Sequence, residues 1–299
     1  MFLSNRRALL RTAVSSLLLA AAPMLPLSVA HAESQKVSVL YAGSLVNLME
    51  HSVGPAFTKE TGIAFEGYAG GSNKVANEIK GKLRRGDIFI SASPKVNDTL
   101  MGEANGNWVT WYASFAESPL VIGYNPKSKF ANDLKTKRWD EVLAMPGIRI
   151  GRTDPKLDPK GRFTVNFVEH AATVYGKPDL LKQTLGSEEN PAQVLPEETL
   201  VGRLQSGQLD AGFFYSTETS DLKIPAITLP AELKEKAQYT LTILNNAPNA
   251  EGAQRFVSWL LSPAGQALLK EHGIDVVTPK VSGDVATVPA TLHSELPPQ

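Results

Sequence analysis

Cysteine is absent from all 299 residues, which excludes disulfides, thiolate metal sites and cysteine nucleophiles together. Net charge is absent too: 30 basic side chains balance 30 acidic ones, so no overall positive field invites nucleic acid. Histidine is scarce. Of the five, His31 lies near the N-terminus, while His51, His170, His272 and His293 form neither an HExxH motif nor a close pair, which argues against a zinc centre. There is no GxSxG elbow or Walker phosphate loop, and no base can be named beside a candidate serine. A hydrolase fits poorly. Internal repeats and low-complexity stretches are lacking as well. Past the N-terminal thirty residues, no run approaches the ~20 apolar residues of a membrane-spanning helix.

What is present is an ordinary globular balance, 42% hydrophobic and 20% charged, in a chain long enough for two domains. Residues 1–32 stand apart. They hold Arg6, Arg7 and Arg11 and no acid, then an apolar run, then Ala30-His31-Ala32 before Glu33. That order predicts a cleaved export signal and a mature protein soluble in a bacterial periplasm. Asn5-Arg6-Arg7-Ala8-Leu9-Leu10-Arg11 resembles a twin-arginine signal, although paired arginines also occur in ordinary secretory signals. Pro23 and Pro26 shorten the apolar run and disfavour an uncleaved anchor. The remaining chain carries 27 basic and 30 acidic groups.

Within that chain, short β-branched runs alternate with helical periodicity. Residues 36–42, 61–67 and 87–92 read as strands, with helices over 45–57 and 73–83 between them. Residues 111–124 read as two extended pieces broken at Ser118-Pro119. Farther on, strands are expected at 148–151, 210–215 and 239–244, with helices at 134–143, 163–175, 199–206, 252–261 and 263–272. The Pro-containing tail, 281–299, is expected to be loosely held. Alternating strands and helices predict a parallel α/β architecture with ligands at the carboxyl ends of the strands.

Two turns share one design: strand, Gly43-Ser44, helix; and strand, Gly71-Ser72, helix. A serine there is expected to cap its helix, leaving first-turn N–H groups and the positive end of the dipole facing outward. Two such ends facing one cleft would hold an oxyanion without a full positive charge.

Tyr41-Ala42-Gly43-Ser44-Leu45, Ala69-Gly70-Gly71-Ser72 and residues 86–93 (GDIFISAS) resemble the molybdate/tungstate-binding periplasmic proteins of ABC importers, nearest their archaeal-type branch. The resemblance continues through 118–124 (SPLVIGY), 152–162 (RTDPKLDPKGR), Pro196-Glu197-Glu198-Thr199, 204–215 (LQSGQLDAGFFY) and 256–266 (FVSWLLSPAGQ). It implies an α/β, two-lobed periplasmic-binding-protein fold of the class II type, each lobe a mixed sheet flanked by helices, with crossing strands as hinge. Lobe 1 would comprise 33–115 plus 226–299 and lobe 2 residues 116–225. The protein would be a monomer that needs no cofactor and delivers a small oxyanion to an ABC permease. Carried over residue by residue, Ser44 and Ser72 match the serines that contact the anion. Asp158 matches the aspartate of an Asp-Pro-x-Gly segment, Glu198 the glutamate before a helix, and Tyr215 the tyrosine ending a buried strand. The segment departs from the family pattern at Gly161-Arg162-Phe163, and Asp154 offers the same Asp-Pro-Lys four residues earlier.

Carboxylates beside a dianion need a reason, since unit charges 4 Å apart repel by ~4 kcal/mol at an effective dielectric of 20. Sulfur in sulfate stays four-coordinate. Molybdenum and tungsten accept further hard oxygen donors, and the resemblance implies that Asp158 and Glu198 bind the metal centre, carboxylates there disfavouring sulfate and phosphate. Plainer roles exist: Asp158 in a turn before proline, Glu198 decorating a helix start, Tyr215 as a core phenol, and Lys74 and Arg162 solvated at the surface. Another oxyanion, a small organic anion or ferric ion is the alternative ligand. Ferric ion would call for adjacent tyrosines, and Phe213 and Phe214 precede Tyr215 instead.

Overall fold

Ten strands form among residues 36–297, the part of the chain described by the computed structural model; the predicted export signal lies outside it. They are β1 (Lys36–Ala42), β2 (Ala64–Gly70), β3 (Ile88–Ser91), β4 (Trp111–Tyr124), β5 (Ile150–Thr153), β6 (Val194–Leu195), β7 (Ala211–Tyr215), β8 (Ala226–Thr228), β9 (Lys236–Ile243) and β10 (Asp275–Gly283). The sheet order is β2-β1-β3-β9-β4-β7-β5-β6, with β8 and β10 both paired to β4. β1 runs parallel to β2 and β3, and β5 parallel to β6 and β7; β9 enters antiparallel between β3 and β4. Parallel strands covered by helices on both faces need continuous apolar runs, and Ile88, Phe89 and Ile90 in β3 are buried accordingly.

β4 joins the two parts of this sheet. Residues up to Pro119 pair with β9 and β10, and from Leu120 onward the strand pairs with β7 and β8. The expected break at Ser118-Pro119 is therefore a change of partners within one 14-residue strand. Proline, with no N–H to donate, stands at the changeover, and the Ser118 hydroxyl accepts from Thr217 N–H at 3.1 Å.

The helix expected over 45–57 is less regular. A 3-10 turn (Gly43–Leu45) leads through one α turn and a π segment (Met49–Val53) into the helix Gly54–Thr61. The tail corrects another expectation. β10 lies antiparallel on β4, and Val288, Leu292 and Leu296 are buried in the main core. Three well-spaced apolar residues anchor a segment whose prolines had hidden its order. Phe57 packs edge-on against Phe256 at 5.1 Å in one part of the core, and Trp139 lies 4.6 Å from Phe167 in another.

Candidate functional site

The carboxyl ends of β1, β2, β5, β6 and β7 lead into Gly43-Ser44, Gly71-Ser72, the Asp154–Asp158 turn, Glu197 and Tyr215. These loops close on one another. A Cβ at Gly43 would overlap Cγ of Glu197, and one at Gly71 would lie 2.5 Å from the Leu157 carbonyl and 3.0 Å from Oδ2 of Asp158. Only glycine permits both approaches. Next to Gly71, Lys74 N–H donates to the Leu157 carbonyl at 3.0 Å and the Asn73 side chain donates to Lys156 O at 3.0 Å.

Neither serine caps its helix as expected. Ser72 is the first residue of the helix Ser72–Lys80, behind Gly71, and its Oγ accepts from Ala92 N–H at 3.1 Å. Ser44 sits inside the 3-10 turn and shares a 2.9 Å hydrogen bond with the Tyr239 hydroxyl. Both are buried.

Asp158 caps the helix Pro159–Val174, its Oδ1 accepting from Lys160 N–H at 2.7 Å. Asp154 plays a different part: its Oδ1 accepts from Lys156 N–H at 2.8 Å and shapes the turn before the buried acid. Lys160 reaches inward from the first turn of that helix. Its side chain is 1% exposed, and its ammonium lies 2.8 Å from Oε1 of Glu197 and 2.9 Å from each oxygen of Glu218. Glu218 also accepts from Tyr215 N–H at 2.8 Å. Tyr215 and Tyr239 meet edge-to-face with ring centres 6.2 Å apart. Two polar atoms of this buried group have no partner: Oε2 of Glu197 and the Tyr215 hydroxyl.

Two carboxylates thus share one ammonium, and a third, Asp158, is held by the backbone N–H of the same lysine. Burial, aided by the charge on Glu197, pushes the Asp158 carboxyl up to about 8. Burial likewise lifts Glu218 to about 7, against the pull of Lys160. Burial works against the Lys160 charge, but Glu197, Glu218 and Asp158 outweigh it and hold the ammonium protonated. Tyr215 and Tyr239 are pushed well above the ordinary phenol range, chiefly by burial. Beside this group a cleft of about 270 Å³ is lined by Gly71, Lys74, Asp158, Glu197 and Glu198 among others. Carboxylates and the start of the helix Glu197–Gln205 line it, with the buried hydroxyls of Ser44, Ser72 and Tyr215 at the neighbouring strand ends; carboxylate oxygens suit a small ligand with a hard, oxygen-accepting centre.

The family model for bacterial extracellular solute-binding proteins matches residues 37–275. The chain belongs to that family. This solute-binding protein is accordingly a non-enzymatic component of ABC transport, of the class that binds a small ligand and meets a permease. It is 28% identical over 302 residues to the molybdate/tungstate-binding protein WtpA of Pyrococcus abyssi, covering 84% of this chain and 87% of that one. An uncharacterized solute-binding protein of Petrotoga mobilis is also 28% identical, over 76% of this chain and 79% of its own. The periplasmic molybdate-binding protein of Azotobacter vinelandii superposes with a TM-score of 0.65 at 23% identity, covering 82% of this chain and all of that one. The sulfate-binding protein SubI of Mycobacterium tuberculosis gives 0.62 at 15% identity, covering 88% of this chain and 92% of that one. Both structures share the mixed α/β periplasmic-binding-protein fold.

Of the five residues carried over from the sequence resemblance, Ser44, Ser72, Asp158 and Tyr215 are all buried at these strand ends. Glu198 is not with them. Its side chain is 53% exposed and stands 3.9 Å from Lys74 at the rim of the cleft, while the acid turned inward is Glu197. Successive residues at a helix start point ~100° apart, so only one of the pair can face the interior. Arg162 is half-exposed and paired with Glu188 at 3.0 Å, the surface role expected of it. Sequence reasoning missed Glu197, Lys160, Glu218 and Tyr239. The adjacent Glu197-Glu198 was a signal for the first. Lys160 occupies the variable position of the Asp-Pro-x-Gly segment, and nothing local marks the other two.

Proposed function

We propose that this solute-binding protein captures molybdate or tungstate and surrenders it to the permease of an ABC importer. One observation carries the reading: a buried carboxylate oxygen, Oε2 of Glu197, is left without a hydrogen-bond donor in the buried group that also holds the unpartnered Tyr215 hydroxyl. Unpaired buried groups of this kind are costly, and a site retains them when a ligand satisfies them. Sulfate offers only negative oxygens to a carboxylate, whereas a molybdenum or tungsten centre accepts its lone pair. Glu197 and Asp158 are the assigned donors to the central atom. Ser44, Ser72 and Tyr215 serve the oxo groups, and Glu198 with Lys74 guards the entrance. The names borne by the Pyrococcus and Azotobacter relatives support the same choice.

Lobes of 33–115 plus 226–299 and of 116–225 would pivot where β4 changes partners, bringing Gly43 and Gly71 onto Glu197 and Asp158. Nanomolar capture requires ~12 kcal/mol net. Titration calorimetry with molybdate, tungstate, sulfate and phosphate is the test. Expected are tight binding of the first two and at least 100-fold weaker binding of the others; sulfate binding of equal strength would overturn the assignment.

A further inference from the structure

Lys160 is the one cation inside the buried group, and its three contacts are unequal in consequence. Both oxygens of Glu218 take its ammonium at 2.9 Å, and Glu218 is anchored in turn by Tyr215 N–H at 2.8 Å. From that fixed point Lys160 reaches a single oxygen of Glu197 at 2.8 Å, leaving the other free. The Gly43 backbone also packs closely on the Glu197 stem, where a Cβ would overlap its Cγ. A device built for stability alone would satisfy every buried oxygen, and an apolar trio would serve at least as well. Here one oxygen is pinned and its twin withheld.

We propose that Lys160 is a specificity-determining residue, acting by positioning: it presents Glu197 as a one-oxygen donor that a molybdenum or tungsten centre can accept and a four-coordinate anion cannot. The inference rests on the oxyanion reading above. It adds that the molybdate-to-sulfate preference depends on a lysine that never needs to touch the anion. Without the ammonium, Glu197 can turn, and its unrestrained charge no longer meets the ligand along one direction. Both dianions lose the attraction of the ammonium alike, but molybdate loses its extra bond besides, so the ratio between them falls.

The test is calorimetry with molybdate and sulfate on the intact protein, on Lys160→Met, and on Lys160→Met combined with Glu218→Gln. The double variant removes the ion pair from both sides and retains an acceptor for Tyr215 N–H, so it covers the event that the single variant fails to fold. A fall of tenfold or more in the molybdate-to-sulfate ratio, in whichever variants fold, supports the proposal. A merely structural role would weaken both ligands alike, so an unchanged ratio overturns it. Loss of the folded state in both variants also overturns it, by making Lys160 a structural support. If the unmodified protein binds no molybdate, the functional reading itself fails, an outcome separate from either of these.

Discussion

Glu197 and Glu198 are chemically identical neighbours with opposite surroundings. The first is buried against Lys160 with one oxygen unpartnered; the second is half in water beside Lys74. Glu197→Gln is expected to weaken molybdate binding at least 100-fold, because an amide is a poor donor to a hard metal centre. Glu198→Gln should change it less than about threefold, since an exposed pair contributes only ~0–1 kcal/mol. Calorimetry of the two variants side by side checks this, and equal losses would contradict it. The acids also set a pH dependence. Asp158 and Glu218 are raised in the folded protein to about 8 and about 7, so the native state binds more protons than the unfolded chain above pH ~4. Their contribution to stability is complete below that pH and is lost as pH rises through 7 and 8. The unliganded protein should therefore melt at a lower temperature at pH 8.5 than at pH 5.5, and Asp158→Asn should flatten the difference. Scanning calorimetry across that range decides it.

Turns at strand ends behave as units because they bring backbone, not only side chains, to the site. Gly71 is the sharpest case: any Cβ there would meet the Leu157 carbonyl at 2.5 Å, a contact with rigid backbone. Gly71→Ala should reduce molybdate affinity at least tenfold by holding the two loops apart. Its melting temperature without ligand should fall by only a few degrees, because the helix Ser72–Lys80 keeps its own core contacts through Val75, Ala76 and Ile79. A change in melting temperature with no change in affinity would show that the close approach is incidental. The strand–Gly–Ser–helix order of both turns was readable from local pattern, since glycine and β-branched residues act within a few positions. The capping role expected of the serines was not. Their hydroxyls found Ala92 N–H and Tyr239 instead, partners supplied by β3's exit loop and by β9.

The two segments that flank the site are tied at a second place, away from the acids. Asp221, at the end of the helix Ser216–Asp221, accepts from Asn47 and lies 2.5 Å from Nδ1 of His272, whose Nε2 meets Ser52 Oγ at 2.8 Å. This network joins the 116–225 segment to both parts of the other, so it favours their approach without contacting a ligand. Asp221→Ala should lower molybdate affinity by about three- to tenfold through a less populated closed form, as a binding-competent fraction below one lowers apparent affinity. Small-angle scattering without ligand should show a larger radius of gyration than the unmodified protein; an unchanged radius would remove the network from the closing motion. Alternation of strand and helix and the glycine turns follow from rules that act over a few residues, and they indicated an α/β fold; the candidate residues Ser44, Ser72, Asp158 and Tyr215 came from the resemblance to the molybdate/tungstate-binding family. Which acid faces inward, and which lysine joins it, came only with folding. Lys160 meets Glu218 across 58 residues, and Ser44 meets Tyr239 across 195. No local propensity reaches that far: burial chooses among neighbours of equal chemistry only when distant strands have closed around them.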